Sequence, residues 1–154
     1  MMFKKILIAF DGSEASKRAL DYAADMASEA KGQLIVLTIV PKITLPIFPD
    51  EGFGSAPSAS AQDFGEYQDR MKDTYTKALN EATNDAKKKF PNLNVIPIIY
   101  EARPSVAIVE EAEKQEVNLI VMGSRGLGGI SGWILGSTSR RVVESCTKPI
   151  LIIK

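Results

Sequence analysis

The 154-residue chain has no histidine and one cysteine. Without an imidazole there is no histidine general base, no Ser-His-Asp triad and no His-ligated zinc. A lone cysteine, Cys146, excludes an internal disulfide and suits a reducing compartment. No excess of either charge is present: 19 Lys and Arg balance 19 Asp and Glu. Polyanion binders usually carry a basic excess, so no nucleic-acid partner is expected. Long hydrophobic runs are also missing. The N-terminal run, Ile6 to Phe10, is too short for a signal h-region or a membrane span, and no later run is long enough. These absences predict a cytoplasmic protein with no membrane partner. Its chemistry would rest on Asp, Glu, Lys, Tyr, backbone amides, or a metal held on a phosphate.

What is present is an alternation of short apolar runs with helical patterns. Lys5 to Phe10 reads as a strand, β-branched and bounded by Asp11-Gly12. Ala15, Ala19, Tyr22, Ala23, Met26, Ala27 and Ala30 follow at helical spacing, with Gly32 as the stop. Strands are predicted over Gln33 to Val40, Asn94 to Tyr100, Asn118 to Met122 and Ile150 to Ile153. A long helix runs through Phe64, Tyr67, Met71, Tyr75, Ala78, Ala82 and Ala86. A third opens at Pro104, and a last one starts near Ser137. Alternating strands and helices argue for a five-stranded open parallel sheet with helices on both faces, a single α/β domain over residues 1–154. One segment breaks the pattern. Pro41 to Asp63 carries prolines 41, 46, 49 and 57 and a Ser/Ala-rich run. Such a composition predicts a mobile insertion, with a lid over a ligand as the sharper alternative.

Open parallel sheets bind ligands outside the carboxyl ends of their strands. Two polar segments stand there: Asp11-Gly12-Ser13 after the first strand, and the run from Met122-Gly123 after the fourth. The second carries Gly123, Gly126, Gly128, Gly129 and Gly132, then Gly136-Ser137-Thr138. Glycines allow positive φ and close backbone approach, so N–H groups can converge on an anion. The last helix begins at Gly136-Ser137, and helix N-termini favour phosphate. Arg125 adds a charge; the hydroxyls of Ser137 and Thr138 can donate to phosphate or ligate magnesium. An N-cap would account for Ser137 but not for so many glycines. The run is neither a Walker A loop nor a dinucleotide fingerprint, since it has no Gly-Lys-Ser/Thr and no completed GxGxxG.

Gly123, two residues, Gly126, nine residues and Gly136-Ser137 form a spacing that resembles the nucleotide-binding members of the universal stress protein family. The opening KKILIAFDGSEAS, the stretch LIVMGSRG and the strand after Pro149 are similar to that family too. The likeness covers nearly the whole chain outside the insertion. It implies strand order 3-2-1-4-5 and ATP (or AMP or ADP) in the cleft between strands 1 and 4. Magnesium would enter on the phosphates. It implies that Asp11 contacts the nucleoside, that backbone at Val40 borders the adenine, and that the glycines and Ser137 hold ribose and phosphates. The segment after Gly126 lacks the basic residues often seen there.

Two function classes follow: a nucleotide-binding stress-response or regulatory protein without catalytic residues, or a slow magnesium-dependent ATPase or phosphotransferase. A phosphoacceptor domain is disfavoured, because no lysine-bearing loop follows the fifth strand. The implied order also leaves Ile150, Leu151, Ile152 and Ile153 on a sheet edge, which predicts a homodimer through that strand.

Overall fold

The computed structural model describes residues 3–44, 61–125 and 135–154. Most of the expected insertion, with Ile47, Phe48 and Phe53, lies outside the described residues, as does Gly126. Five strands form one parallel sheet: β1 (Lys5–Ala9), β2 (Gln33–Pro41), β3 (Asn94–Ala102), β4 (Leu119–Gly123) and β5 (Ile150–Ile153). Their order is β3-β2-β1-β4-β5, as the family resemblance implies. Helices α1 (Glu14–Glu29), α2 (Ala61–Lys89), α3 (Pro104–Lys114) and α4 (Ser137–Ser145) connect them.

Strand alternation sorts the core into two halves. Ile6, Ile8, Leu34, Val36, Leu119 and Val121 face one way, packing with Ala19, Ala23 and Ala27 of α1 and Leu79 and Ala86 of α2. Leu7, Ile35, Leu37, Ile39, Ile120 and Met122 face the other, against Ala107, Ile108 and Ala112 of α3 and Val142 of α4. The continuous apolar runs in the sequence therefore reflect strands covered on both sides.

α1 begins where Ser13 accepts a hydrogen bond from the Ser16 N–H (3.2 Å), and ends at Ala30. Positive φ after it falls on Lys31 (49°), not on the expected stop residue. Gly32 is a glycine for a different reason. A Cβ there would lie 2.1 Å from the Lys4 carbonyl oxygen, so no other residue fits against β1. Asn118 precedes β4 rather than opening it. Its side chain accepts the Lys5 N–H (2.9 Å) while its own N–H reaches the Lys5 carbonyl (2.7 Å), tying β4 to β1 at the start of both strands. Cys146 is the half-buried C-cap of α4, and it packs against the α3/α4 half of the core.

Strand lengths create the functional end. β1 pairs with β2 from Lys5↔Gln33 to Ala9↔Leu37, and β2 then continues to Pro41 alongside β3. The last four residues of β2 thus overhang β1 and form a wall beyond its carboxyl end. The Phe10 N–H donates to the Leu37 carbonyl (2.8 Å), and the Thr38 hydroxyl donates to the Phe10 carbonyl (2.8 Å). These bonds fix the chain as it leaves β1 against that wall.

Candidate functional site

A cleft of about 320 Å³ opens at the carboxyl ends of β1, β2 and β4. Its volume falls in the range of roughly 300–1,000 Å³ typical of small-molecule sites. The cleft sits between β1 and β4, where the connections turn to opposite sides of the sheet. Seven of the nine site residues expected from the sequence line it: Asp11, Met122, Gly123, Arg125, Gly136, Ser137 and Thr138. Gly126 lies outside the described residues. Val40, expected to contribute backbone only, is fully buried and absent from the lining, alternation turning its side chain away. Its neighbours Ile39 and Pro41 line it instead. With Leu37, Pro104 and Ile108 they make an apolar half that motif reading missed. The run of apolar residues in β2 was visible in the sequence, but nothing there marked which of them extend past β1.

The polar half is built around the neck of the glycine-rich segment. The Gly136 N–H donates to the Ser124 carbonyl (2.8 Å), and the Ser139 hydroxyl donates to the same oxygen (3.1 Å). The segment therefore leaves and returns at one point. The Ser13 hydroxyl contacts the Arg125 carbonyl (3.4 Å), joining that neck to the start of α1. Gly136 is the N-cap of α4 and supplies no side-chain acceptor, which leaves Ser137 as the first helical residue and not the cap. The opening N–H groups of a helix have no intrahelical partner. Here that helix start, Gly136 to Ser139, lines the cleft with Arg125. Arg140 and Arg141 are exposed and outside the lining.

The glycines differ in purpose. Positive φ, the reason expected from the sequence, occurs among the described glycines only at Gly12 (86°). At Gly123 a Cβ would lie 2.8 Å from Ala15 Cβ and 2.9 Å from the Ala15 carbonyl carbon. Glycine at that position lets α1 press onto the end of β4. Gly136 has φ −60° and ψ 162°, open to any residue, and a Cβ there meets the described residues only at 3.4 Å and beyond. Among the described residues nothing requires glycine at 136.

Asp11 accepts the Ser13 N–H on Oδ1 (2.9 Å), a local turn that shapes the entry to α1. The same residue lines the cleft together with Tyr75 of α2. Burial pushes the Tyr75 phenol above its ordinary range, with the Asp11 carboxylate and Tyr67 adding to the rise. Among the described residues no group of three or more Cys, Asp or Glu side chains is placed to hold a metal. Nor is any helix there long and apolar enough to cross a membrane.

Fold and cleft together define a doubly wound α/β domain with a cleft at the point where strand order reverses. The chain belongs to the universal stress protein family, which it matches over residues 2–154. It is 31% identical to the universal stress protein YxiE of Bacillus subtilis, across 99% of this chain and 100% of that one. A universal stress protein of Thermus aquaticus is 32% identical, with the same coverage of both chains. Among solved structures, protein MJ0577 superposes with a TM-score of 0.75 at 25% identity, covering 100% of this chain and 97% of that one.

Proposed function

We propose that this chain is an adenine-nucleotide-binding stress-response or regulatory protein that holds ATP in the cleft at the carboxyl ends of β1 and β4. The observation that carries the reading is the division of the cleft. One half is apolar (Leu37, Ile39, Pro41, Pro104, Ile108) and suits a base. The other presents the uncapped first turn of α4, with Arg125, Ser137 and Thr138, and suits phosphates. Asp11 carries a negative charge, so it belongs with the nucleoside and away from the phosphates. Magnesium would arrive on the nucleotide, with Ser137 as the candidate protein ligand. Two universal stress proteins of similar fold, 24% and 22% identical, were solved in complex with cAMP and with dAMP. Those ligands agree in class with the reading.

Cradling amides and hydroxyls hold substrate and transition state alike, and such uniform binding does not speed a chemical step. No histidine exists to act as base. Titration with ATP is expected to give a dissociation constant on the order of micromolar. With magnesium, turnover should stay well below about 1 per second, the lower end of ordinary enzymes. Turnover of several per second would establish the ATPase or phosphotransferase alternative.

The same reading includes a homodimer through β5. The sheet has two edges. β3 carries Pro97 and Glu101, features that blunt an edge, and α2 packs against it. β5 is Ile150-Leu151-Ile152-Ile153, half-buried throughout and without a charge or proline. Antiparallel pairing with a second copy would cover it. Sedimentation is expected to give a dimer at micromolar concentration, and Ile152→Lys a monomer or insoluble protein. A monomeric unmutated chain would reject the pairing.

A further inference from the structure

We propose that Tyr75 reads the ribose of the bound nucleotide jointly with Asp11, so that the cleft selects a vicinal diol and discriminates against nucleotides that lack it. The inference rests on the nucleotide reading above and assigns a specificity role to α2, a helix that carries none of the motif residues.

The geometry places Tyr75 at the site. α2 lies on the Asp11-Gly12 turn: a Cβ on Gly12 would be 3.6 Å from Ala78 Cβ. Tyr75 is three residues before Ala78, one turn along the same face. It lines the cleft with Asp11, Ile39 and Pro41. Gln68 holds this part of α2 in place. Its amide donates to the Pro41 carbonyl (3.0 Å), and its side-chain oxygen accepts the Ile43 N–H (3.1 Å). The exit of β2 is thereby bonded to α2 two turns before Tyr75, and the aromatic ring becomes a fixed wall of the cleft.

The chemistry then narrows the ligand part. A carboxylate accepts hydrogen bonds and cannot donate them; a neutral phenol does both. Lining one cleft, they can match two adjacent hydroxyls, one donating to Asp11 and the other accepting from Tyr75. Phosphate would be repelled by Asp11, and a purely apolar group would make no hydrogen bond with either side chain. Burial and the neighbouring carboxylate keep the phenol protonated at neutral pH, so the donor is present when ligand enters. Tyr100, the other tyrosine that burial shifts this way, spends its hydroxyl on Glu111 (3.3 Å), a contact within the fold.

The test compares ATP with 2′,3′-dideoxy-ATP by calorimetric titration of the full chain and of Tyr75→Phe. This variant keeps the ring and removes only the hydroxyl. Asp11 is unsuitable because it also shapes the turn before α1. The unmutated protein is expected to prefer ATP. Tyr75→Phe should weaken ATP about three- to tenfold, the effect of one hydrogen bond, and leave the dideoxy nucleotide within twofold. Equal weakening of both nucleotides would make Tyr75 a wall without diol recognition and overturn the inference. So would no change for either, or no preference in the unmutated chain. Failure of the unmutated protein to bind both nucleotides would overturn the nucleotide reading itself, and this inference with it.

Discussion

An aspartate in place of Gly136 is expected to abolish ATP binding while leaving the fold as stable as before or slightly more so. The backbone at 136 already has N-cap geometry, φ −60° and ψ 162°, with no side chain to cap the helix. Aspartate is among the best N-cap residues, and the gain over glycine is a few tenths of a kcal/mol. Among the described residues a Cβ there fits, the nearest atoms being the Ser124 carbonyl oxygen at 3.4 Å and Arg125 Cα at 3.5 Å. The new carboxylate would bond to the first-turn amides that are proposed to hold phosphate, and would add a negative charge beside it. Losing two such contacts at about 1.5 kcal/mol or more each reduces affinity at least about hundredfold. Titration calorimetry with ATP, alongside a thermal melt, reads both effects. Unchanged affinity in a folded Gly136→Asp protein would remove the phosphates from this helix end.

Gly123→Val is expected to damage the fold itself, by about 2–4 kcal/mol. Overpacked sites typically cost about 1–3 kcal/mol and occasionally more. Here the obstacle is backbone as well as side chain. Ala15 Cβ, the Ala15 carbonyl carbon and the Ser16 nitrogen all lie within 3.1 Å of the point that a Cβ on residue 123 would occupy. α1 cannot retreat cheaply, because Ala15, Ala19 and Ala23 are its buried face against the sheet. For a domain of this size, the loss corresponds to a fall in midpoint of roughly 4–16 °C. Urea unfolding of Gly123→Val against the parent chain measures the loss of stability. An unchanged midpoint would mean that α1 and β4 do not meet this closely. Any loss of nucleotide binding in this variant would follow from the displaced α1, so Gly136 is the informative glycine for binding and Gly123 for packing.

The contrast between these two glycines marks where sequence reading stopped. Both belong to one spacing motif, and the motif located the site. It did not distinguish a glycine demanded by a neighbouring helix from one with room around it among the described residues, because the demand on Gly123 comes from Ala15 and Ser16, more than a hundred residues away in the chain. Among the described glycines positive φ occurs at Gly12, in the other loop, while Gly126, Gly128, Gly129 and Gly132 lie outside the described residues.

By itself, the sequence determined the strand and helix alternation, the parallel sheet, the family and the strand ends that bear the cleft. Those follow from local information: hydrophobic period, β-branched runs, caps, prolines and a fixed spacing of glycines. Only the tertiary structure decided which side chains face the cleft. β2 overhangs β1 by four residues, so Ile39 and Pro41 form a wall while Val40, between them, points away. Tyr75 read as one position of a core stripe until the packing of α2 on the Asp11-Gly12 turn put it beside Asp11. Strand register and helix placement are set by the summed packing of distant segments, and a one-residue change in register reverses the face of every side chain in a strand.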